Sequence, residues 1–381
     1  MNSTHAVLGQ VALGYAPLVS KSLDIEATRV TVFALRPEGT PDASELLAAL
    51  AEAFPTKPVL LNVAHEGLLK GLLAAALPGN FKIEVPAFLL SDADLAAQAQ
   101  ARGALLKGRS DAAGFKQLVL DLQELGGGPL PAGKSVLVSG ARNGDDFKKA
   151  LDAGAAGVLG WTVHGEFEAP AAPAARNDSQ ADLQVIVELM SRVDQGEDVE
   201  RLEQTLKRDP SLAFKLLRYM NSAAFGLSVE VSSFRHAIML LGYARLRRWL
   251  ALLLATASKD HAMRPVMFGA LRRGLVMEEL AKSMTDSEVR DEMFICGLFS
   301  LLDHMLKQPF EKLLQSIPVP ERVRQALVDQ TGPYKGYLDL VQAIENESVF
   351  DVRAALDTLM LGPDEVNGAV LRALNKAAQL E

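Results

Sequence analysis

The hydrophobic pattern changes its period partway along the chain, and this change limits the possible folds more than any other feature. Up to about residue 165, segments of strand length alternate with helical segments. The strand candidates are VALGYAPLV, ATRVTVFAL, KPVLLNVA, FKIEVPAFL, GALLKG, FKQLVLDL, KSVLVSGA and AGVLGWTV. This alternation predicts an α/β domain with largely parallel strands. After residue 182 the apolar residues follow a helical period, which predicts an all-α domain.

The segment between the two patterns, EFEAPAAPAARNDSQAD, is rich in Ala, Pro and polar residues. Such a composition is typical of a linker that is semi-rigid where Pro recurs. We therefore assign residues 1–168 to the first domain, 169–182 to the linker and 183–381 to the second domain. A length of 381 residues also favours two domains over one.

Composition and charge indicate the cellular compartment of the protein and the classes of partner that it binds. The formal net charge of −8 disfavours nucleic acid as the main partner. The single cysteine, Cys296, excludes a disulfide framework within the chain, and its apolar neighbours predict a core residue rather than a nucleophile. The N-terminus shows no signal peptide, and the longest apolar run is shorter than the roughly 20 residues of a membrane span. We expect a cytoplasmic protein without a membrane partner.

The start of the all-α part carries a family resemblance. Its sequence, DPSLAFKLLRYMNSAAFG followed by SFRHAIMLLGYARLRRWLALL, predicts amphipathic helices, with Asp209-Pro210 at a helix start and a turn at Gly242. This stretch resembles the opening of an HDOD domain, the helical relative of HD phosphohydrolases in bacterial signalling proteins. We expect Leu216, Phe234 and Leu241 in its core.

With an HDOD-like domain behind it, the first half resembles the EAL domain of cyclic di-GMP phosphodiesterases. PVLLNVA resembles the strand that supplies a metal-binding Asn, here Asn62, and KIEVP resembles the strand that supplies a metal-binding Glu, here Glu84. The resemblance implies an α/β plus all-α protein, with an EAL-like (β/α) barrel followed by an HD-related helical HDOD domain. Because residues 1–168 are fewer than the roughly 250 of a full barrel, we expect the barrel to be truncated or open.

The departures from the EAL pattern bear on catalysis. The strand that should carry the family's Glu has no carboxylate near Arg29, and the other substituted positions are Leu106-Lys107, Val119, Ser139, Arg142 and Leu159. The family's chemistry uses two divalent cations that share several carboxylates. Asn62 and Glu84 alone cannot hold such a pair, so we interpret them as vestigial. An Asn that caps a loop and a Glu in a surface salt bridge is the plainer reading of the two residues.

The second half has also departed from the metal site of HD hydrolases. CGLFSLLDHML resembles the segment that carries their His-Asp pair, but Ser300-Leu301 stands at the pair's position. Asp303-His304 follows three residues later in reversed order, on another face of a helix. We therefore expect no metal, no cofactor and no catalytic residue in either half, with His304 at the helix surface or hydrogen-bonded.

The leading hypothesis is a non-catalytic signalling adaptor that binds other signalling proteins. The alternatives are a cyclic di-GMP sensor and a residual cyclic di-GMP phosphodiesterase. Three arginines, Arg245, Arg247 and Arg248, form a local basic group. They are either a solvated helix face or a contact for a partner, and the sequence leaves both readings open.

Overall fold

The computed structural model of the protein describes most of the chain. The described residues are 5–36, 38–162, 178–206, 210–222, 231, 233–256, 261–284, 286–315 and 317–380. Most of the predicted linker, 169–177, and the predicted helix start at Asp209 lie outside these ranges. Helix α5 (Asp178–Asp194) begins within the range expected to be linker.

Eight strands close into a barrel in chain order, each hydrogen-bonded to the next and the last to the first. All eight strands predicted from the sequence are present. They are β1 (Val11–Ser20), β2 (Ile25–Ala34), β3 (Val59–Val63), β4 (Phe81–Pro86), β5 (Leu105–Lys107), β6 (Gln117–Asp121), β7 (Ser135–Ala141) and β8 (Gly157–Gly160). The expectation of an open barrel is therefore wrong.

The barrel closes within few residues because its connections are short. Strand β1 runs antiparallel to both of its neighbours, β2 and β8, so a tight turn replaces a crossover helix between β1 and β2. Neither the β5–β6 nor the β6–β7 connection contains an α-helix. The remaining connections carry α1 (Ala43–Ala53), α2 (Glu66–Ala74), α3 (Ala93–Ala101) and α4 (Gly144–Asp152).

The barrel interior begins with an apolar layer to which seven strands contribute one buried residue each. These residues are Leu18, Ala27, Leu60, Leu105, Val119, Leu137 and Leu159. Because side chains alternate between the two faces of a strand, the residues two positions further along each strand also point inward. The apolar layer thus determines which side chains form the next layer, and most of these are polar.

The rest of the described chain is helical, as the period predicted. The helices after α5 are α6 (Val199–Leu206), α7 (Pro210–Met220), α8 (Phe234–Thr256), α9 (Arg264–Leu280), α10 (Ser287–Phe299), α11 (Leu302–Leu306), α12 (Phe310–Leu313), α13 (Glu321–Arg324), α14 (Lys335–Glu345), α15 (Val349–Leu359) and α16 (Pro363–Leu380). The predicted turn at Gly242 is confirmed, since its φ of 74° interrupts α8. Leu216 is buried as expected, whereas the side chains of Phe234 and Leu241 lie outside the described part.

Contacts divide the chain into two compact units, and the division is not a single cut. The first unit combines Met1–Gly165 with Gln342–Arg372, and the second combines Glu166–Val341 with Ala373–Glu381. The segment Gln342–Arg372, placed by the sequence in the second domain, therefore packs with the barrel. No helix among the described residues is long and apolar enough to cross a membrane.

Asn367, in α16, attaches this C-terminal segment to strand β1. Within β1, the residues that pair with β8 are the last three, Leu18 to Ser20. The buried Asn367 side chain accepts a hydrogen bond from the Leu13 N–H (3.1 Å) and donates to the carbonyl oxygens of Leu8 (2.8 Å) and Val11 (2.7 Å). One amide group thus satisfies three backbone groups of the barrel that would otherwise be buried without partners.

Candidate functional site

The polar layer of the barrel interior follows from the strand register. Two positions beyond Ala27, Leu60 and Leu105 come Arg29, Asn62 and Lys107, and β4 contributes Glu84. Together with Thr31 on β2 and Glu347 of the C-terminal segment, these residues form a connected group of hydrogen bonds. We call the six residues Arg29, Thr31, Asn62, Glu84, Lys107 and Glu347 the barrel-mouth cluster. All six belong to the same compact unit.

A two-pronged ion pair lies at the centre of the cluster. Arg29 donates from Nε to Glu84 Oε1 (2.8 Å) and from Nη2 to Glu84 Oε2 (2.7 Å). Both side chains are almost fully excluded from solvent, with 6% of Arg29 and none of Glu84 exposed. The planar guanidinium matches the two carboxylate oxygens, so both Glu84 oxygens are already engaged.

The end of α14 supplies the second carboxylate. The helix ends with hydrogen bonds from the Glu347 N–H to the Ile344 carbonyl and from the Ser348 N–H to the Ala343 carbonyl, which is the Schellman arrangement. Glu347 occupies the left-handed position, with φ of 54°, where Gly is the usual residue. Its carboxylate accepts from Arg29 Nη1 (3.0 Å) and from the Thr31 hydroxyl (2.5 Å).

Strand β1 makes room for this turn with a glycine. A Cβ atom on Gly14 would lie 3.0 Å from the Ile344 carbonyl oxygen and 3.1–3.2 Å from Glu347. Those distances are shorter than ordinary van der Waals contact. The close approach of the turn to the barrel therefore depends on the missing side chain at Gly14.

Asn62 and Lys107 complete the cluster through a chain of hydrogen bonds. Lys107 Nζ donates to Asn62 Oδ1 (3.1 Å), and Asn62 Nδ2 donates to Thr31 Oγ1 (3.1 Å). Because an ammonium group can only donate, the amide of Asn62 has a fixed orientation. Thr31 accepts from that amide and therefore directs its own proton to Glu347.

The charges of the cluster compensate one another. Two cations, Arg29 and Lys107, face two carboxylates, Glu84 and Glu347, and the charge of Asp121 on β6 also acts on both cations. Burial alone lowers the pKa of Arg29, but the charges of Glu84 and Glu347 outweigh burial and raise that pKa above its ordinary value. Burial and the neighbouring charge of Arg29 lower the pKa of Lys107. The guanidinium is thus the permanent cation of the cluster.

This arrangement does not fit the two divalent cations that the EAL resemblance implies. Both oxygens of Glu84 are held by Arg29, and the oxygen of Asn62 faces the ammonium of Lys107. A permanent cation within the cluster repels a divalent ion, and two carboxylates are too few to offset it. In the described part of the chain, no three His, Cys, Asp or Glu side chains are grouped so that they could hold a metal ion.

The two vestigial positions predicted from the sequence therefore lie in one cluster. The expectation of a surface salt bridge for Glu84 is wrong, because its partner is an interior arginine and its side chain is inaccessible to solvent. The expected loop cap by Asn62 is not among the observed hydrogen bonds of its side chain, which join it to Thr31 and Lys107. Asn62 instead links Lys107 of β5 to Thr31 of β2.

Sequence reasoning missed Thr31 and Glu347. Thr31 lies on the same face of β2 as Arg29, so the alternation of that strand could have indicated it. Glu347 follows Arg29 by 318 residues and belongs to a helical segment, and no local pattern connects the two. Ser139, at a substituted family position, is buried and donates to the Leu120 carbonyl (3.3 Å).

A buried arginine of helix α9, Arg273, contacts the segment that resembles the HD motif. Arg273 Nη1 donates to Ser300 Oγ (3.1 Å), and Ser300 in turn donates to the Gly297 carbonyl (2.7 Å). Asp303 is buried nearby, and burial raises its pKa to about 6 although it accepts from the His304 N–H. Cys296 is a core residue as expected, with its pKa raised to about 12 by burial.

The three arginines of the basic group have different surroundings. Arg245 is exposed. Arg247 forms an ion pair with Asp194 (2.8 Å). Arg248 is mostly buried, forms ion pairs with Glu278 (2.7 Å) and Asp291 (2.9 Å), and lies 4.4 Å from the centre of the Phe294 ring. The arginines therefore do not form one solvated face.

Comparison with known proteins places a family match in the helical part. Residues 182–316 match the HDOD domain model. Over 162 residues the chain is 31% identical to the cyclic di-GMP phosphodiesterase CdgJ of Vibrio cholerae serotype O1, which covers 42% of this chain and 38% of that protein. Over 154 residues it is 31% identical to the uncharacterized protein YuxH of Bacillus subtilis strain 168, covering 40% and 37% respectively.

The alignments span less than two-fifths of the length of these two curated relatives. The comparisons support a bacterial signalling protein in which an HDOD domain follows a closed eight-stranded barrel. The family match covers the HDOD residues and does not extend to the barrel.

Proposed function

We propose that this chain is a non-catalytic cytoplasmic signalling regulator that acts by binding other proteins, with a degenerate EAL-like barrel before its HDOD domain. The observation that carries this proposal is the buried pair of Arg29 and Glu84. In an EAL-like barrel, the strand of Arg29 would supply a metal-binding carboxylate. An arginine there replaces the charge of a metal ion with a fixed side-chain cation, which cannot activate water as a metal ion does.

The HDOD unit supports the same reading. If its ancestry is that of HD hydrolases, Ser300 stands where a metal-binding His would be, and the guanidinium of Arg273 donates to it. An arginine thus stands at the ancestral metal position of the barrel, and another donates to the residue at that position in the helical unit. In both units an arginine side chain contacts or occupies the place where a metal ligand would be. This favours a protein that has kept its folds for binding rather than for hydrolysis.

Cyclic di-GMP turnover tests the proposal directly. We expect the purified chain to release no linear dinucleotide with Mg²⁺ or Mn²⁺, under conditions in which the Vibrio cholerae phosphodiesterase CdgJ is active. Hydrolysis that scales with added Mn²⁺ and is abolished by Glu84→Ala would refute it. Glu52→Ala, which changes a carboxylate of helix α1 that pairs with His5, is the matched control and should behave like the unmodified chain.

A cyclic di-GMP sensor without hydrolysis is the second candidate. It is favoured by the activity in the name of the relative CdgJ and by the two cations of the barrel-mouth cluster. Titration calorimetry with cyclic di-GMP separates it from the adaptor. Saturable binding that Lys107→Met weakens, without any turnover, would support the sensor, whereas the adaptor predicts no heat of binding.

Partner binding by the HDOD unit is the remaining part of the proposal. We retain Arg245, Arg247 and Arg248 as candidate contacts, with Arg245 as the exposed member. Arg245→Glu reverses one charge without disturbing the ion pairs of its neighbours. We expect this variant to lose partners that the unmodified chain captures from native lysate, with an unchanged melting temperature. An unchanged set of partners would assign Arg245 to a solvated surface.

A further inference from the structure

The barrel-mouth cluster is arranged around an acceptor of negative charge. Arg29 Nη1 and the Thr31 hydroxyl both donate to one carboxylate, that of Glu347. Arg29 and Thr31 are buried side chains on a rigid strand. The carboxylate comes from a turn that follows a helix, and 20% of its side chain remains exposed. The two donors thus belong to strand β2 of the barrel, whereas the acceptor belongs to the C-terminal segment.

The hydrogen-bond chain fixes the polarity of this arrangement. Lys107 can only donate, so Asn62 presents its NH₂ group to Thr31, and Thr31 must direct its hydroxyl proton outward. Every donor in the chain is therefore oriented toward the position of the Glu347 carboxylate. Such preorganised donors in a partly desolvated site favour an anion far more than an unstructured surface does.

We propose that Arg29, held by Glu84, and Thr31, oriented by Asn62 and Lys107, form an anion site for the phosphate group of a small ligand, and that the chain's own Glu347 carboxylate occupies this site as an internal competitor. Without Glu347, Arg29 Nη1 and the Thr31 hydroxyl would lose the acceptor that both of them contact. A phosphate would supply a new acceptor for both donors and offers more acceptor oxygens than the carboxylate that it replaces.

The backbone of Glu347 is consistent with a displaceable ligand. Its left-handed conformation is disfavoured for a residue with a side chain. The turn also approaches Gly14 so closely that one additional carbon atom on β1 would press against it. Release of the turn relieves both constraints, whereas the ion pair of Arg29 with Glu84 remains intact.

Binding of inorganic phosphate to the full chain tests the anion site, measured by calorimetry at constant ionic strength with chloride as the balancing ion. An internal ligand competes at an effective concentration in the millimolar range or above, so its removal should tighten phosphate binding about tenfold or more. We expect this gain in Glu347→Ala. Arg353→Ala is the control, because Arg353 joins the same segment to the Leu35 carbonyl without contacting the site.

Further variants locate the phosphate. Gly14→Val should raise the affinity without removing any charge, because it displaces the turn. Lys107→Met, combined with Glu347→Ala, should reduce the affinity again, although Lys107 is not in contact with Glu347 in the observed bonds. That effect would show that Lys107 contributes to the anion site, through its charge and through the orientation of Asn62. The same titration with acetate distinguishes a phosphate ligand from a carboxylate ligand.

Equal phosphate affinity in Glu347→Ala, Arg353→Ala and the unmodified chain would overturn the proposal and leave Glu347 as a structural contact. If Glu347→Ala does not fold, Glu347→Gln decides the question, since it keeps the shape and removes the charge that phosphate must displace. The titrations contain no nucleotide. Turnover of cyclic di-GMP would therefore refute the proposed function without deciding the anion site, and the reverse also holds.

Discussion

At the scale of single residues, Arg29 and Glu84 are each buried, and each compensates the charge of the other. Removing one member of a buried pair leaves an isolated charge in a medium that solvates it poorly. Replacing both members by apolar residues avoids that penalty. Comparing the single with the double substitution therefore separates two contributions to the free energy of unfolding. One is that of the ion pair itself, and the other is the penalty for leaving one charge buried without its partner.

We expect Arg29→Met to lower the free energy of unfolding by about 3–5 kcal/mol, since Glu84 would remain charged and buried. The double variant Arg29→Met with Glu84→Leu should recover most of that loss. Urea unfolding of the two variants and of the unmodified chain, followed by circular dichroism, measures both values. A single variant as stable as the unmodified chain would mean that water reaches Glu84.

The buried carboxyl group of Asp303 should make the stability of the second unit depend on pH. Burial raises its pKa to about 6, above the ordinary value of 3.8. The folded state therefore holds a proton that the unfolded state releases, and stability falls as the pH rises from about 4 through about 6. At neutral pH the penalty is about 2–3 kcal/mol, because a tenfold difference in proton affinity between the folded and unfolded states corresponds to roughly 1.4 kcal/mol.

Asp303→Asn removes this titration and keeps an oxygen that accepts from the His304 N–H. We expect the variant to be more stable than the unmodified chain at pH 7 and equal to it near pH 4. Unfolding midpoints recorded from pH 4 to pH 8 provide the test. The control is Asp286→Asn, at an exposed N-cap, which should leave the slope unchanged. Parallel stability curves for Asp303→Asn and the unmodified chain would contradict the prediction.

At the scale of elements, helix α8 carries arginines with opposite roles. Arg248 is 12% exposed, pairs with Glu278 of α9 and Asp291 of α10, and lies over Phe294. Its removal takes a cation away from Asp291 and leaves Glu278 with Lys376, at 3.9 Å. Arg245, only three positions earlier, is exposed.

We therefore expect Arg248→Ala to lower the free energy of unfolding by about 2–4 kcal/mol. Arg245→Ala should change it by no more than about 0.5 kcal/mol, as is usual for exposed positions. Thermal and urea unfolding of the two variants measure the difference. Equal stability of the two variants would show that the ion pairs of Arg248 are replaced by water without loss.

At the scale of the whole molecule, the barrel unit is discontinuous in sequence. Gln342–Arg372 belongs to it, and Asn367 alone satisfies three backbone groups next to β1. A protein cut within residues 166–182, the segment predicted from composition to be accessible to proteases, retains this segment on the other fragment. The N-terminal fragment expressed alone does not have it.

We expect the isolated fragment 1–165 to melt at a lower temperature than the barrel of the intact chain, or to aggregate, since the backbone groups at β1 lose the Asn367 side chain that satisfies them. Co-expression with a peptide of residues 342–372 should restore folding, and the same peptide carrying Asn367→Ala should restore it less. Circular dichroism and gel filtration report the outcome. A stable, monomeric fragment 1–165 would show that the barrel does not need the segment.

Local sequence alone determined the eight strands, the barrel helices, the helical second half and the break at Gly242. These features depend on periodicity and turn chemistry, which act over a few neighbouring residues. Asn62 and Glu84 were identified differently, by the resemblance of their strand sequences to those of the EAL family. The expectation that few residues leave the barrel open failed, since it assumed helical connections where hairpins and short loops suffice.

Only the tertiary structure decided how the barrel closes and what its interior holds. The antiparallel pairing of β1 with β8 joins residues near the two ends of the barrel sequence, and loop closure over such a length leaves no local trace. Glu347 reaches Arg29 and Thr31 across more than 300 residues for the same reason. An arginine in a strand, read locally, predicts an exposed cation. Arg29 is instead a buried cation, because the fold brings the carboxylates of Glu84 and Glu347 within hydrogen-bond distance of it. These carboxylates stabilise a guanidinium that solvent cannot reach.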